Sequence, residues 1–193
     1  MSDRKLTIIT GTPGTGKTTL AAKLATILPA NHVDVPLLVE EEGLWVDVDE
    51  GRGVKVVDLA KVRKRLRVLA KEGNLKLVVS SHIPDVAYRS DVDAVVVLRL
   101  HPCELKRRLE ALNWPPSKVR ENVVAEVLAV CLKEALSYYG EEVVYEADVT
   151  GMSVEEAALH LIELLRAKQK SYRVDWLSKA IEDEELLRLL TLL

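Results

Sequence analysis

The sequence has no phenylalanine, only two cysteines in 193 residues, no apolar run approaching ~18 residues and no excess of positive charge. Cys103 and Cys131 fall in helical-looking segments and read as reduced packing residues, which excludes a disulfide framework and a cysteine metal site. With no long apolar run, no helix is expected to span a membrane. The polar, charged N-terminus does not read as a signal peptide, so the expected compartment is the cytoplasm. The formal net charge is −3, whereas a general polyanion binder is usually basic, so bulk charge does not advertise nucleic acid. The length suits one α/β domain, which buries roughly 70% of its unfolded surface and needs no covalent staples.

What is present alternates between strand and helix signals. Lys5 to Thr10 (KLTIIT) reads as a buried strand, followed by a glycine loop at 11–16 and an apolar-periodic helix from Lys17 to Leu28. Val33 to Val35 reads as a second short strand, and Pro36 to Glu42 as a short helix stopped by Gly43. Residues 45–55 are acidic and glycine-rich and read as loop. Asp58 is placed to cap a helix to about Lys71, ended by Gly73. Leu75 to Ser80 and Ala94 to Leu98 are the third and fourth strands. Pro102 opens a helix through Leu112, and after Pro115-Pro116 Ser117 is placed to cap a long helix to about Tyr139. Val143 to Glu146 is the fifth strand, and Ser153 with Glu156 forms a capping box for a helix to about Lys168. This order predicts an α/β, doubly wound, mostly parallel five-stranded sheet with helices on both faces, whose ligands sit at the carboxyl ends of the strands.

The most specific feature is Gly11-Thr12-Pro13-Gly14-Thr15-Gly16-Lys17-Thr18, a match to G-x-x-x-x-G-K-[ST] between a strand and a helix. Such a P-loop turns its backbone N–H groups inward as an anion nest, and the helix N-terminus adds its positive end. Lys17 is expected at the β- and γ-phosphates of ATP and the Thr18 hydroxyl on Mg²⁺, with Thr19 completing the phosphate-binding segment. Phosphoryl transfer then needs positioning and charge neutralisation, hence mobile arginines and a lid that excludes water. Arg99, Arg107, Arg108 and Arg120 lie in the right region, which makes 104–122 a short helical lid with Arg108 its strongest candidate.

These stretches resemble the atypical adenylate kinases of archaea and the eukaryotic nucleus, small proteins that also act as ATPases in small ribosomal subunit assembly. The resemblance rests on GTPGTGKTTLAAKLA (11–25), the acidic loop with Asp49-Glu50 followed by VVDLAKVRKRL (56–66), VVSSH (78–82), and the run from Val95 to Leu128 containing Asn122 and Glu126. It covers residues 5 to 165 approximately, and implies the reaction ATP + AMP ⇌ 2 ADP with Mg²⁺, ATP hydrolysis, and binding to a small-subunit ribosomal protein and pre-ribosomal RNA. It also implies that His82 is a catalytic histidine, that Asp49, Glu50 and His82 face the acceptor, and that residues 30–60 form the acceptor region. Two departures stand out. Ser80 replaces an Asp that steadies Mg²⁺ through water, so Asp49 or Asp34 is a candidate for the missing charge. Leu112 replaces a lid arginine, for which Arg107 or Arg120 is a candidate substitute.

His32, His101 and His160 have no partner pattern and read as bland. Lys61, Arg63, Lys64, Arg65 and Arg67 form an outward basic helix face, either solvated or turned to RNA phosphates. Residues 171–193 extend past the resemblance as a helical segment rich in leucine. Tyr172, Trp176, Leu177, Ala180 and Ile181 form one stripe that packs on the parent domain or docks a partner. Beside the adenylate kinase reading stand two others: a nucleotide-switched ribosome assembly ATPase, and a P-loop kinase for another small acceptor.

Overall fold

The computed structural model describes residues 5–49, 54–73, 75–168, 170, 172 and 174–191. The expected five-stranded sheet is there, with its second strand at 30–34 rather than 33–35 and Val35 already in the following helix. Strands β1 (Leu6–Gly11), β2 (Ala30–Asp34), β5 (Lys76–Ser80), β6 (Val92–Arg99) and β7 (Val144–Asp148) form one parallel sheet in the order β2-β5-β1-β6-β7. Parallel strands covered on both faces must be apolar on both faces, and β1 is so: Ile8 and Ile9 are both fully buried. Ile8 joins Val79, Val95 and Val97 under helices α2 (Val35–Glu42), α3 (Leu59–Glu72) and α6 (Val130–Tyr139). Ile9 joins Val78, Val96 and Leu98 under α1 (Lys17–Ile27), α4 (Pro102–Ala111), α5 (Pro116–Val127) and α7 (Val154–Ala167).

Asp34 caps α2 by accepting from Leu37 N, and Gly43 ends it in the left-handed region. Asp58 caps α3, and Ser153 with Glu156 makes the capping box of α7. No helix among the described residues is long and apolar enough to cross a membrane.

Two expectations are corrected. Residues 45–55 are not all loop: β3 (Trp45–Asp49) and β4 (Val54–Val57) pair antiparallel, with Trp45 opposite Val57. The β-branched valines at 46, 48, 54, 56 and 57 favour strand, and the acidic and glycine signal marks only the connection between them. Lys55 holds the hairpin to α2, with its ammonium 3.7 Å from the Trp45 ring centroid and paired to Glu40. The long helix to Tyr139 is in fact two, broken at Ala129, which sits at φ 53°, ψ 40°. That conformation costs an alanine about 1–2 kcal/mol, and no glycine or proline marks it. Ser117 is not the cap either; Pro115 holds that position and Pro116 opens α5.

The C-terminal segment folds back on the domain. Helices α8 (Trp176–Lys179) and α9 (Glu184–Thr191) bury Trp176, Ala180, Leu186 and Leu189 in the same core as Leu105 and Leu109 of α4. Tyr172, Leu177 and Ile181 of the expected stripe remain exposed.

Candidate functional site

The phosphate loop leaves β1 at Gly11 and enters α1 at Lys17, as its mechanism requires. Gly14 and Gly16 adopt φ near +90°, a region that side chains disfavour. At Gly14 the space is also taken, since a Cβ there would come within 2.9 Å of both Leu105 Cδ1 and Leu109 Cδ2 of α4. Helix α4, in the expected lid region, therefore lies directly against the loop. At Gly16 the nearest outside atom is Arg108 Nη1, 3.8 Å from the position a Cβ would occupy. Glu104 steers that guanidinium by a 2.5 Å bond to Arg108 Nη2.

Inside the loop the Thr12 carbonyl is a hub. It accepts from Thr15 N at 3.3 Å, Thr15 Oγ1 at 2.9 Å and Lys17 Nζ at 3.0 Å. Desolvation pushes the Lys17 pKa down to about 8, partly offset by the Glu126 and Asp34 carboxylates. Pro13 and Gly14 are half-buried, and Thr19 is exposed in the first turn of α1.

Asp34 closes one side. Its Oδ2 accepts from Thr18 Oγ1 at 2.8 Å and from Ser80 Oγ at 2.9 Å. Ser80 has one hydroxyl proton and spends it on Asp34, so the 2.9 Å contact with His32 Nε2 requires a ring N–H donor there. Burial opposes ionisation of Asp34, yet the bonds from Leu37 N, Thr18 and Ser80 hold its pKa below the ordinary carboxylate value. His32 is thus not bland, since it completes a Thr18–Asp34–Ser80–His32 chain. The carboxylate missing at Ser80 stands across the strand pair at Asp34, the parallel neighbour of Ser80 in the β2–β5 register. One carboxylate and one hydroxyl are hard oxygen donors, the set that binds Mg²⁺ together with phosphate oxygens, so the residues fit that ion.

His82 follows β5 at the rim of a hollow of about 670 Å³ that Asp85, Lys133, Ser137 and Tyr138 also line. Desolvation and the Lys17 ammonium lower its pKa, so the ring is neutral at pH 7. Of the acceptor candidates, Asp49 ends β3, and Glu50 lies outside the described residues.

Two sets of cations are reassigned. Arg99 is no lid arginine: it is 1% exposed and bonds Glu126 Oε1 at 2.7 Å, Glu146 Oε1 at 2.5 Å and the Glu126 carbonyl at 2.8 Å. Arg107 bonds the Cys103 carbonyl, and Arg120 is exposed. On α3, Arg63 pairs with Asp85, Arg65 with Glu42 and Arg67 with Asp91, so the basic run is largely neutralised within the protein. His101 accepts from Cys103 N at the start of α4 and pairs with Asp183. Cys103 and Cys131 are free thiols.

Residues 8–129 match the family described as AAA domain. Curated archaeal relatives, each named "Putative adenylate kinase", are similar over most of the chain. The Halobacterium salinarum protein is 42% identical over 78% of this chain and 83% of its own. The Methanocaldococcus jannaschii protein is 34% identical over 89% and 92%. Among solved structures, a shikimate kinase from Bacteroides thetaiotaomicron superposes with a TM-score of 0.55 at 22% identity, covering 83% of this chain and 98% of that one. A thymidylate kinase from Candida albicans does so at 0.53 and 15%, covering 86% and 92%. These superpositions establish the fold as that of the P-loop kinases.

Proposed function

The chain belongs to the archaeal adenylate kinase family that these relatives represent, and we propose that it transfers the γ-phosphoryl group of ATP to AMP, giving two ADP. The observation that supports this reading is the meeting of two cations at one glycine loop, Lys17 on the Thr12 carbonyl and Arg108 beside Gly16, with the Thr18–Asp34 hydrogen bond at the loop's exit. The loop amides bind the β- and γ-phosphates. Lys17 leaves the Thr12 carbonyl for the phosphates, and Arg108 leaves Glu104 to meet the charge that develops on the transferred group. The acceptor nucleophile is already a phosphate oxygen, so no strong base is needed. Neutral His82 orients the acceptor, or a water when ATP is hydrolysed. Thr18, with Asp34 beside it, would hold Mg²⁺, which would supply charge neutralisation to the bound phosphates.

The test is ADP formation from ATP, with and without AMP, in wild type and Lys17→Ala. The expected result is AMP-dependent ADP that the variant loses. If AMP adds nothing over ATP alone, the kinase reading fails, and a panel of other acceptors against ATP then identifies the substrate.

An ATP-driven role in small ribosomal subunit assembly is carried by the resemblance, and the ion pairs on α3 leave little free positive surface for RNA. Recovery of a small-subunit ribosomal protein from cell extract, with dependence on ATP, supports that role. Recovery of neither ribosomal protein nor RNA removes it.

A further inference from the structure

The Glu126 carboxylate is 2% exposed and divides its two oxygens between the phosphate loop and the C-terminal segment. Oε2 accepts from Thr12 Oγ1 at 2.7 Å. Oε1 accepts from Arg99 Nε at 2.7 Å, from Leu100 N at 3.2 Å and from the Trp176 indole Nε1 at 3.2 Å. One buried side chain thus ties a residue of the anion nest to a tryptophan 50 positions beyond it in sequence.

The segment carrying that tryptophan is fastened to the same ion network at two further points. Arg99 Nη1 donates to the Val174 carbonyl at 3.3 Å, and Val174 N donates to Glu146 Oε2 at 3.2 Å. The indole lies edge-on to His101, with centroids 5.2 Å apart, and Lys179 sits 4.5 Å from its ring centroid. His101 starts the lid helix α4 and pairs with Asp183, just before α9, while Leu186 and Leu189 of α9 pack in one core with Leu105 and Leu109. Those two leucines are the ones that press on Gly14. The C-terminal segment therefore bears on the nest from two sides, through Glu126 to Thr12 and through α4 to Gly14.

We propose that Trp176 is a positioning residue for nucleotide binding: docking of the C-terminal segment, through the Glu126 carboxylate, holds the phosphate loop in its nucleotide-binding shape. This rests on the reading of the loop as an ATP site. Coupling between two sites is reciprocal, so bound ATP must tighten the docking as docking tightens ATP. Removal of the indole donor leaves Glu126 with one partner fewer and free to shift away from Thr12. The rest of the Arg99 network keeps the fold.

The experiment uses the full chain with Trp176→Phe, which keeps a six-membered aromatic ring and removes the pyrrole half of the indole with its N–H. Val62→Ala, a buried α3 substitution on the opposite face of the sheet, is the control for general destabilisation. The Kd of ATP–magnesium is measured by calorimetry, and kcat at saturating ATP separately. The expected result is a Kd raised by about fivefold or more, the low end of site-to-site coupling, with kcat retained and no Kd change in Val62→Ala. In the wild type, hydrogen exchange of the Trp176 indole N–H is expected to slow when ATP–magnesium is added. An unchanged Kd in Trp176→Phe overturns the proposal while leaving the ATP site standing, as does indole exchange that ignores ATP. A wild type that binds no ATP overturns both.

Discussion

The Asp34 carboxylate accepts from the hydroxyl of Thr18 at 2.8 Å, joining the end of β2 to the first turn of α1. The same oxygen takes the Ser80 hydroxyl, so one acid joins the helix that follows the glycine loop to the strand that leads to His82. The charge that Ser80 cannot supply is therefore present, on the neighbouring strand.

From this follows the first prediction. Asp34→Asn removes the charge but keeps the shape and one acceptor for Leu37 N. Loss of a group that orients a metal ligand typically costs about 10- to 100-fold in metal affinity. The Mg²⁺ concentration for half-maximal activity is expected to rise by that order, with ATP binding without metal little changed. Titration of activity against Mg²⁺ checks it. Ser80→Ala, which removes the hydroxyl bonded to Asp34 and His32 but keeps the Asp34 charge, should have a smaller effect in the same direction.

Lys17 gives a pH dependence whose two signs are opposite. Its pKa in the folded protein is about 8, below its ordinary 10.5. The unfolded chain binds more protons between those values, so this group makes stability rise with pH across that window. ATP needs the charged ammonium, so nucleotide affinity is expected to fall as pH rises through about 8 while Tm without ligand does not fall with it. At pH 8 the lysine takes up protons when ATP binds, which calorimetry in buffers of different ionisation enthalpy detects. Lys17→Met abolishes the uptake, and its loss of phosphate contact should lower kcat/KM by about a hundredfold or more.

The phosphate loop is legible in the sequence because its parts are contiguous: the strand, the glycines, Lys17 and the helix follow one another within twelve residues, Leu6 to Lys17. Strands β1, β5 and β6 are legible too, since each carries a run of β-branched residues, whereas β2 has only Val33 and runs from Ala30 to Asp34, three residues earlier than its expected start. Strand order is not written locally, and with it goes Asp34, whose role depends on β2 lying beside β5. His32 looked bland for the same reason. Arg99 has the sequence position of a lid cation, but only the convergence of Glu126 and Glu146 from two other elements shows that it is spent internally. The break at Ala129 is held by tertiary packing against its own local preference, so no propensity marks it. The capping residues Asp34, Asp58 and Ser153 act within three positions, and two of the three, Asp58 and Ser153, are readable in advance.

Gly14 tests how closely α4 bears on the loop. Gly14→Ala places a methyl 2.9 Å from Leu105 and Leu109 and strains a backbone at φ near +92°. Such strain costs about 1–3 kcal/mol, so Tm should fall and ATP affinity with it. The double variant Gly14→Ala, Leu109→Ala removes one of the two close contacts and leaves that with Leu105. It should recover part of the ATP affinity lost in Gly14→Ala, although the smaller leucine site costs stability of its own. A double variant no better in affinity than the single means that the Leu109 contact does not set the loss.

Arg99 makes the last prediction, because its two carboxylates outlast it. Arg99→Met leaves Glu126 and Glu146 buried, 2.7 and 2.5 Å from where the guanidinium nitrogens stood, with no positive partner between them. Breaking such a pair from one side costs about 3–5 kcal/mol, because the stranded charge, more than the lost attraction, sets the penalty. Denaturant titrations of wild type and variant at pH 7 measure the deficit. The variant with Glu146→Gln added should regain part of the loss, since one stranded charge has gone. A double variant no more stable than Arg99→Met would mean that the lost hydrogen bonds and packing of the arginine, rather than two orphaned charges, account for the deficit.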